Sequence, residues 1–435
     1  MKTLLRMKFR KIKPILISFA TVCSILAVSV AVIAYGRGYR LDLTKTSVKT
    51  TGLVSATSDP IGAQVFVNGS LKTATNNSFS VDPGWYTVTI SKEGYISWQK
   101  KLRIQGEVVS RADAFLFPTS PSLSPLTTLG IQNPILSPDG SKIAYTIPTK
   151  YLDGSLIKKA GLWVYELAEG PLGRNREPIQ LGSIDSTFDV SAATLMWSPD
   201  STQILADYNG TFRLYNVNQA ENFQDVSQTA ASIIQDWKTA QQTKEVQQLA
   251  GFQQPIIDLA TSSAQVISVS PDETKILYEA TASATIPQVI NPPLIGTNPT
   301  TESRTIKAGD IYVYDSKEDK NYLILEAKEI PTPTPPPTPT RRSNFVTPSP
   351  TPTPSTDNHF MSFLHWFPTS RHLILTLPGK IDVMEYDRTN WVTIYSGPFE
   401  DSFVAPWSNG SRIIIITNLN PNASTLPNLY TVNLR

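Results

Sequence analysis

The sequence predicts a mainly β protein: an N-terminal transmembrane helix, a small β-sandwich, then a β-propeller of about five blades with a helical insertion and a Pro/Thr-rich loop. Three observations predict it. An uncharged apolar run lies near the N-terminus, a two-residue apolar/polar alternation fills the stretch after it, and one strand-turn-strand plan recurs five times in the remaining chain. The 34 prolines outnumber the 22 glycines, which speaks against a mostly helical fold because proline is kept out of helix interiors and central strands. A chain of 435 residues also exceeds what one core usually organises.

Lys2, Arg6, Lys8, Arg10, Lys11 and Lys13 crowd the first positions without an acidic residue, and residues 1–14 are expected to form a basic cytoplasmic tail. From Ile15 to Tyr35 there is no charge. At about 1.5 Å per residue that run covers roughly 30 Å, the thickness of a hydrocarbon core, so residues 15–35 are assigned as the anchor. Basic residues stay on the cytoplasmic side, which places everything after Arg37 outside. A cleaved signal peptide usually has an apolar run of about 7 to 15 residues; this run is longer, and only Ser29-Val30-Ala31 resembles a cleavage site, so an uncleaved single-pass anchor is expected. Cys23, the only cysteine, lies inside the run after Val22 rather than after the small residue that lipidation needs. The exported part is therefore expected to fold without disulfides or thiolate metal sites. Removing the six N-terminal positive charges from the formal net of +2 leaves −4, the wrong sign for nucleic-acid binding.

After a linker (36–51), residues 52–118 alternate in the period of half-buried strands. Gln64-Val65-Phe66-Val67 runs into Asn68-Gly69, residues that tolerate the positive φ of a hairpin turn. Asp82-Pro83-Gly84 turns the chain into Trp85-Tyr86-Thr87-Val88-Thr89-Ile90, and Lys92-Glu93-Gly94-Tyr95 turns it again. A compact antiparallel sandwich is expected. Pro60-Ile61-Gly62-Ala63, the strand ending at Asn68-Gly69, Pro83-Gly84 with Tyr86, Val88 and Ile90, and Lys92 with Gly94-Tyr95 together resemble a PEGA domain. Ile61 stands where the family has glutamate, and the stretch from Thr73 to Phe79 lacks the usual Gly-x-Thr-Pro. The resemblance implies an extracytoplasmic β domain of surface proteins, with no catalytic residue to carry over.

Residues 119–435 are organised by repeats. Ser137-Pro138-Asp139-Gly140-Ser141, Trp197-Ser198-Pro199-Asp200-Ser201 and Ser270-Pro271-Asp272-Glu273 each lead into an apolar strand, and Trp366-Phe367-Pro368-Thr369-Ser370 and Trp407-Ser408-Asn409-Gly410-Ser411 are weaker copies. A second apolar strand follows each: residues 162–165, 212–215, 311–314, 381–384 and 429–432. Continuous apolar runs fit strands buried on both faces, and radially packed blades form a propeller. The pattern resembles TolB-like (WD-type) propeller repeats. The last copy ends directly after its third strand, and the stretch from Ser124 to Gly130 is expected to supply the missing outer strand.

Insertions swell the repeats. Within 226–255, Ile233, Ile234, Trp237, Val246 and Leu249 fall at helical spacings before Gly251, predicting an amphipathic helix packed on the propeller. Within 329–357, ten prolines between Pro331 and Pro354 alternate largely with threonine, predicting an extended, disordered spacer.

No catalytic, cofactor-binding or metal-binding residue emerges from the sequence, and ligand-binding residues are not legible in it. His359, His365 and His372 lie close together but lack both metal-ligand spacing and neighbouring carboxylates. Nucleophile elbows, phosphate-cradling loops and dinucleotide fingerprints are absent. Asp139, Asp200 and Asp272 recur once per repeat in one turn, so they are assigned to the fold. The Asn-x-Ser/Thr triplets at Asn68, Asn76, Asn209, Asn409 and Asn422 are explained largely by turn chemistry. The expected function is a membrane-anchored extracytoplasmic binding or scaffold protein of the cell envelope, not an enzyme and without a cofactor, whose propeller face holds a protein, peptide or glycan partner. The alternatives are the sensing ectodomain of a membrane signalling complex and a glycan-acting enzyme with its site in the propeller channel.

Overall fold

The computed structural model describes residues 2–36, 39–42, 47–150, 156–168, 177–331, 363–401, 403–419 and 426–435. Most of the Pro/Thr-rich stretch, His359 and Asn422 lie outside the described residues. The chain divides into two compact units, Met1–Leu116 with Leu294–Thr300, and Phe117–Pro293 with Thr301–Arg435.

The first unit opens with helix α1 (Lys2–Gly36), which contains Pro14 but has no glycine or proline within its apolar run from Ile15 to Tyr35. Its segment Ser18–Gly36 has a mean hydropathy of 2.1 and no residue buried against the protein. The stretch expected to be a linker contains two short antiparallel strands, β1 (Tyr39–Asp42) and β2 (Ser47–Thr50).

Strands β3 (Gly52–Asp59), β4 (Gln64–Val67), β5 (Ser70–Ala74), β6 (Asn77–Val81), β7 (Gly84–Ser91), β8 (Trp98–Ile104) and β9 (Val109–Phe115) follow. They form a three-stranded sheet, β6-β3-β9, and a four-stranded sheet, β5-β4-β7-β8. Asn68 and Gly69 sit at φ 49° and 81°, the left-handed pair the Asn-Gly turn requires. The alternation becomes a shared core: Val54, Ala56, Val65, Val88, Ile90, Trp98, Leu102, Ala112 and Leu116 pack together. One expectation is corrected, because β3 and β9 pair in parallel from Leu53↔Val109 to Asp59↔Phe115. The first and last strands of the two-sheet segment run the same way side by side, a pairing between its ends that local turn signals do not encode.

The second unit begins with β10 (Leu123–Pro125) and then builds five four-stranded antiparallel sheets. The first has β11 (Gln132–Leu136), β12 (Lys142–Ile147), β13 (Gly161–Glu166) and β14 (Ile179–Ser183). The second has β15 (Thr194–Trp197), β16 (Gln203–Tyr208), β17 (Thr211–Asn216) and β18 (Phe223–Asp225). Helices α2 (Ala230–Leu249) and α3 (Gln254–Ser262) come next, between the second and third sheets. The third sheet comprises β19 (Ala264–Val269) and β20 (Lys275–Ala280), then, beyond a small pair β21 (Ala284–Thr285) and β22 (Thr305–Ile306), β23 (Ile311–Asp315) and β24 (Lys320–Leu325). The fourth has β25 (Leu364–Trp366), β26 (His372–Leu377), β27 (Lys380–Glu385) and β28 (Val392–Ser396), and the fifth β29 (Val404–Pro406), β30 (Arg412–Thr417) and β31 (Asn428–Asn433).

The fifth sheet takes its fourth strand from the start of the unit. β10 pairs with β31 from Leu123↔Val432 to Pro125↔Tyr430, and Leu126 N–H donates to Leu429 O at 2.8 Å. An outer strand is thus present where one was anticipated, but it is the three-residue β10, Leu123–Pro125, and not the whole stretch from Ser124 to Gly130. Apolar faces pack sheet against sheet: Tyr145 and Tyr165 of the first with Trp407 and Ile414 of the fifth, Val164 with Trp197 and Tyr215 of the second, Val313 and Tyr322 of the third with Leu373 and Met384 of the fourth.

The helical insertion differs from expectation in which helix packs. Only Ala230 of α2 is buried, and Val246 is 66% exposed. At 3.6 residues per turn Val246 lies on the side of the helix away from Ile233 and Trp237, so the apolar residues make no stripe. The shorter α3 does the packing, setting Ile256 against Ile276, Tyr278 and Tyr314 of the third sheet.

Candidate functional site

The repeated aspartates occupy one geometry. Asp139 accepts the Ser137 hydroxyl at 2.5 Å and the Ser141 N–H at 3.0 Å; Asp200 accepts from Ser198 at 2.6 Å and the Thr202 hydroxyl at 2.8 Å; Asp272 accepts from Ser270 at 2.6 Å and the Thr274 hydroxyl at 2.8 Å. Burial pushes the Asp139 carboxyl up, but the bonds from Ser137 and Ser141 and the charge of Lys142 outweigh it and hold it at about 2. Asp272 is likewise at about 2, the bonds from Ser270 and Thr274 and the charge of Lys275 overcoming burial. The Ser198 bond, foremost, lowers Asp200. Such groups stay ionised and fully engaged at neutral pH, which suits turn capping and not proton transfer.

The two described histidines form no metal-holding group. His372 is buried and lies edge-on to Phe117 and Phe367, with ring centroids 5.7 and 6.0 Å away; His365 is half-buried on β25. Among the described residues no three His, Cys, Asp or Glu side chains gather in a metal-holding group.

Other ionic groups are consumed by packing. Arg213 is buried between the rings of Phe188 and Phe223, 4.3 and 4.1 Å from their centroids, and donates to Asp185 at 2.6 Å. That bond, more than any other influence, drives the Asp185 carboxyl well below the ordinary range. Buried Asp319 accepts the N–H groups of Val289 and Ile290 at 2.8 and 2.9 Å and the Tyr314 hydroxyl at 3.0 Å, fastening the loop between β21 and β22 to the third sheet.

Among the described residues, a concave feature with ligand dimensions lies on the small β unit. A groove of about 560 Å³ is lined by Pro83, Gly84, Trp85, Arg103, Gln105 and Glu107, together with Thr50, Ile104 and Gly106. The pleat explains it. On β7, Val88 and Ile90 point into the core while Trp85 points out, and on β8 Leu102 and Ile104 point in while Lys101 and Arg103 point out. Trp85 pairs directly with Arg103 across the ladder, which puts both residues on the same outer face of the sheet, and Lys101 Nζ lies over the indole, 5.4 Å from its centroid. Trp85 is 52% exposed. At the groove's end Glu107, at φ 64°, accepts the Tyr39 hydroxyl, and Gln105 Oε1 accepts the Gly296 N–H at 3.1 Å. Sequence reasoning placed ligand binding on the propeller and missed this groove. The available signal was Trp85 itself, the tryptophan at an outward position of an otherwise regular strand.

Comparison with known proteins gives one family match: residues 51–116 match the PEGA domain. No curated protein matches the chain. Among solved structures, a putative TolB from Agrobacterium tumefaciens is 11% identical, with 67% of this chain and 71% of that one covered and a TM-score of 0.20. TolB from Acinetobacter baumannii is 11% identical, with 80% and 59% covered and a TM-score of 0.20. The Mitotic Checkpoint Complex includes a chain 10% identical, with 73% and 96% covered and a TM-score of 0.29. At these TM-scores the five sheets themselves, not the likeness, carry the propeller-type fold of the second unit. For residues 51–116 the sheets and the match agree: this segment of the chain resembles a PEGA domain in sequence and is a two-sheet β unit in structure.

Proposed function

We infer that the protein is a membrane-anchored, extracytoplasmic binding or scaffold protein of the cell envelope with no catalytic activity of its own. The observation that carries this reading is the exposed apolar segment Ser18–Gly36, continuous with a basic N-terminal turn and followed by β units. The six basic residues before Ile15 hold the N-terminus in the cytoplasm, and the β units follow on the other side. The match to PEGA domains, which are extracytoplasmic, supports the same side. Against catalysis stands the commitment of Asp139, Asp200, Asp272, Asp185 and Asp319 to structural bonds.

Full-length protein in lipid nanodiscs, incubated with a solubilised envelope extract and recovered by affinity, tests the reading. Retention of a defined envelope polymer or protein in unmodified form is expected. Release of cleaved glycan instead contradicts it and favours an enzyme.

A further inference from the structure

We propose that the Trp85 groove on the small β unit is a binding site for an anionic oligosaccharide. This deepens the binding-protein reading and rests on it. The volume, about 560 Å³, falls among small-ligand sites, which run from roughly 300 to 1,000 Å³. The indole of Trp85 offers a half-exposed aromatic face, electron-rich at its centre, to the electropositive C–H groups of a sugar ring. Two cations lie near it: Lys101 Nζ over one side of the ring, 5.4 Å from its centroid, and Arg103, the cross-strand partner of Trp85, in the lining of the same groove. A guanidinium beside the stacking surface matches a ring-borne carboxylate through two parallel N–H bonds. Glu107 is the one acid among the described lining residues, and its carboxylate accepts the Tyr39 hydroxyl at the groove's end; with Arg103 in the lining and Lys101 over the indole, the formal charge around Trp85 is positive by one.

The shape also favours a glycan over a membrane surface. The tryptophan lines a concavity bounded by the Pro83-Gly84 turn rather than standing on a convex tip that could enter lipid. Every core-facing partner of this surface, Val88, Ile90, Leu102 and Ile104, is buried, so the outer side chains can change without emptying the core.

The test uses the full chain in nanodiscs of uncharged lipid, titrated by calorimetry with tetragalacturonate as the anionic probe and cellotetraose as its neutral counterpart. Saturable binding of tetragalacturonate is expected, at least tenfold tighter than of cellotetraose and weakening as salt rises. Trp85→Ala and Arg103→Gln should each weaken it about tenfold or more, while Trp237→Ala on α2 leaves it unchanged. Equal binding of both glycans, no binding of either, or unchanged binding by Trp85→Ala overturns the proposal. So does a Trp85-dependent attachment seen only with vesicles of anionic lipid. An envelope partner retained by the Trp85→Ala protein despite such a failure would sink this site alone and leave the binding-protein reading standing.

Discussion

At the scale of the residue, the five turns show how much one position decides. The fourth residue of each repeat turn is left-handed: Gly140 at φ 68°, Ser201 at 60°, Glu273 at 54°, Ser370 at 58° and Gly410 at 70°. In each, that residue's N–H bonds back three positions, at 2.8 to 3.0 Å, and the first residue's N–H bonds to the strand beyond, as Ser137 does to Lys142 O at 2.8 Å. Glycine adopts this conformation freely, whereas a Cβ costs about 1 kcal/mol, so exposed Glu273→Gly is expected to stabilise the protein by up to about 0.5 kcal/mol once added unfolded-state entropy is deducted. A lower denaturation midpoint for that variant would contradict the strain assigned there. The carboxylates of the same turns set an acid limit. Asp139 and Asp272 have pKa values of about 2, below the 3.8 of a free side chain, so their contribution is complete above pH 3.8 and is lost as pH falls towards 2. Thermal melts across that window should show a fall in stability that is shallower in Asp139→Asn/Asp272→Asn protein. These turns were legible in the sequence because Pro, Asp and Gly act through local backbone geometry. The ring stack around Arg213 was not, because Phe188 and Phe223 reach it from separate segments.

At the scale of the element, strands announced by apolar runs appear where they were expected, and departures occur where partners are distant in sequence. The parallel β3-β9 pair is one departure. The division of labour between α2 and α3 is another, since helical spacing identifies a helix but not the surface available to it. Two substitutions probe elements directly. Gly161, at φ 145°, begins β13 where the register shifts, and a Cβ would fall 2.1 Å from Gly182 O, so Gly161→Ala should cost more than about 2 kcal/mol by chemical denaturation. Asp319→Ala would leave the Val289 and Ile290 N–H groups and the Tyr314 hydroxyl without their acceptor, at about 1–3 kcal/mol for each unsatisfied donor. Limited proteolysis should then cut the loop between β21 and β22 many times faster while the other sheets stay protected, and unchanged cleavage would remove Asp319 from that role.

At the scale of the whole molecule, an apolar helix, a PEGA-like unit and five four-stranded sheets follow one another along the chain, the sequence of parts on which the proposed binding function rests. The fifth sheet depends on a strand some three hundred residues away in sequence, so Leu126→Pro, which deletes the N–H donor to Leu429 O, should destabilise the second unit as a whole by about 3 kcal/mol. Loss confined to the first few residues of that unit would show β10 to be dispensable. Class and architecture were legible because repeats and hydropathy are periodic properties of sequence. The groove was not, since it arises where the ends of two strands and two turns meet around one tryptophan. The proposed function depends on which side of the membrane the β units occupy, and the single cysteine makes that measurable. In a Cys23→Ser background, Lys317→Cys, an exposed position on the third sheet's turn, would be treated with a membrane-impermeant maleimide in right-side-out and inverted membrane vesicles. Labelling in right-side-out vesicles alone is the predicted result, and labelling only in inverted vesicles would contradict the extracytoplasmic placement and the function built on it.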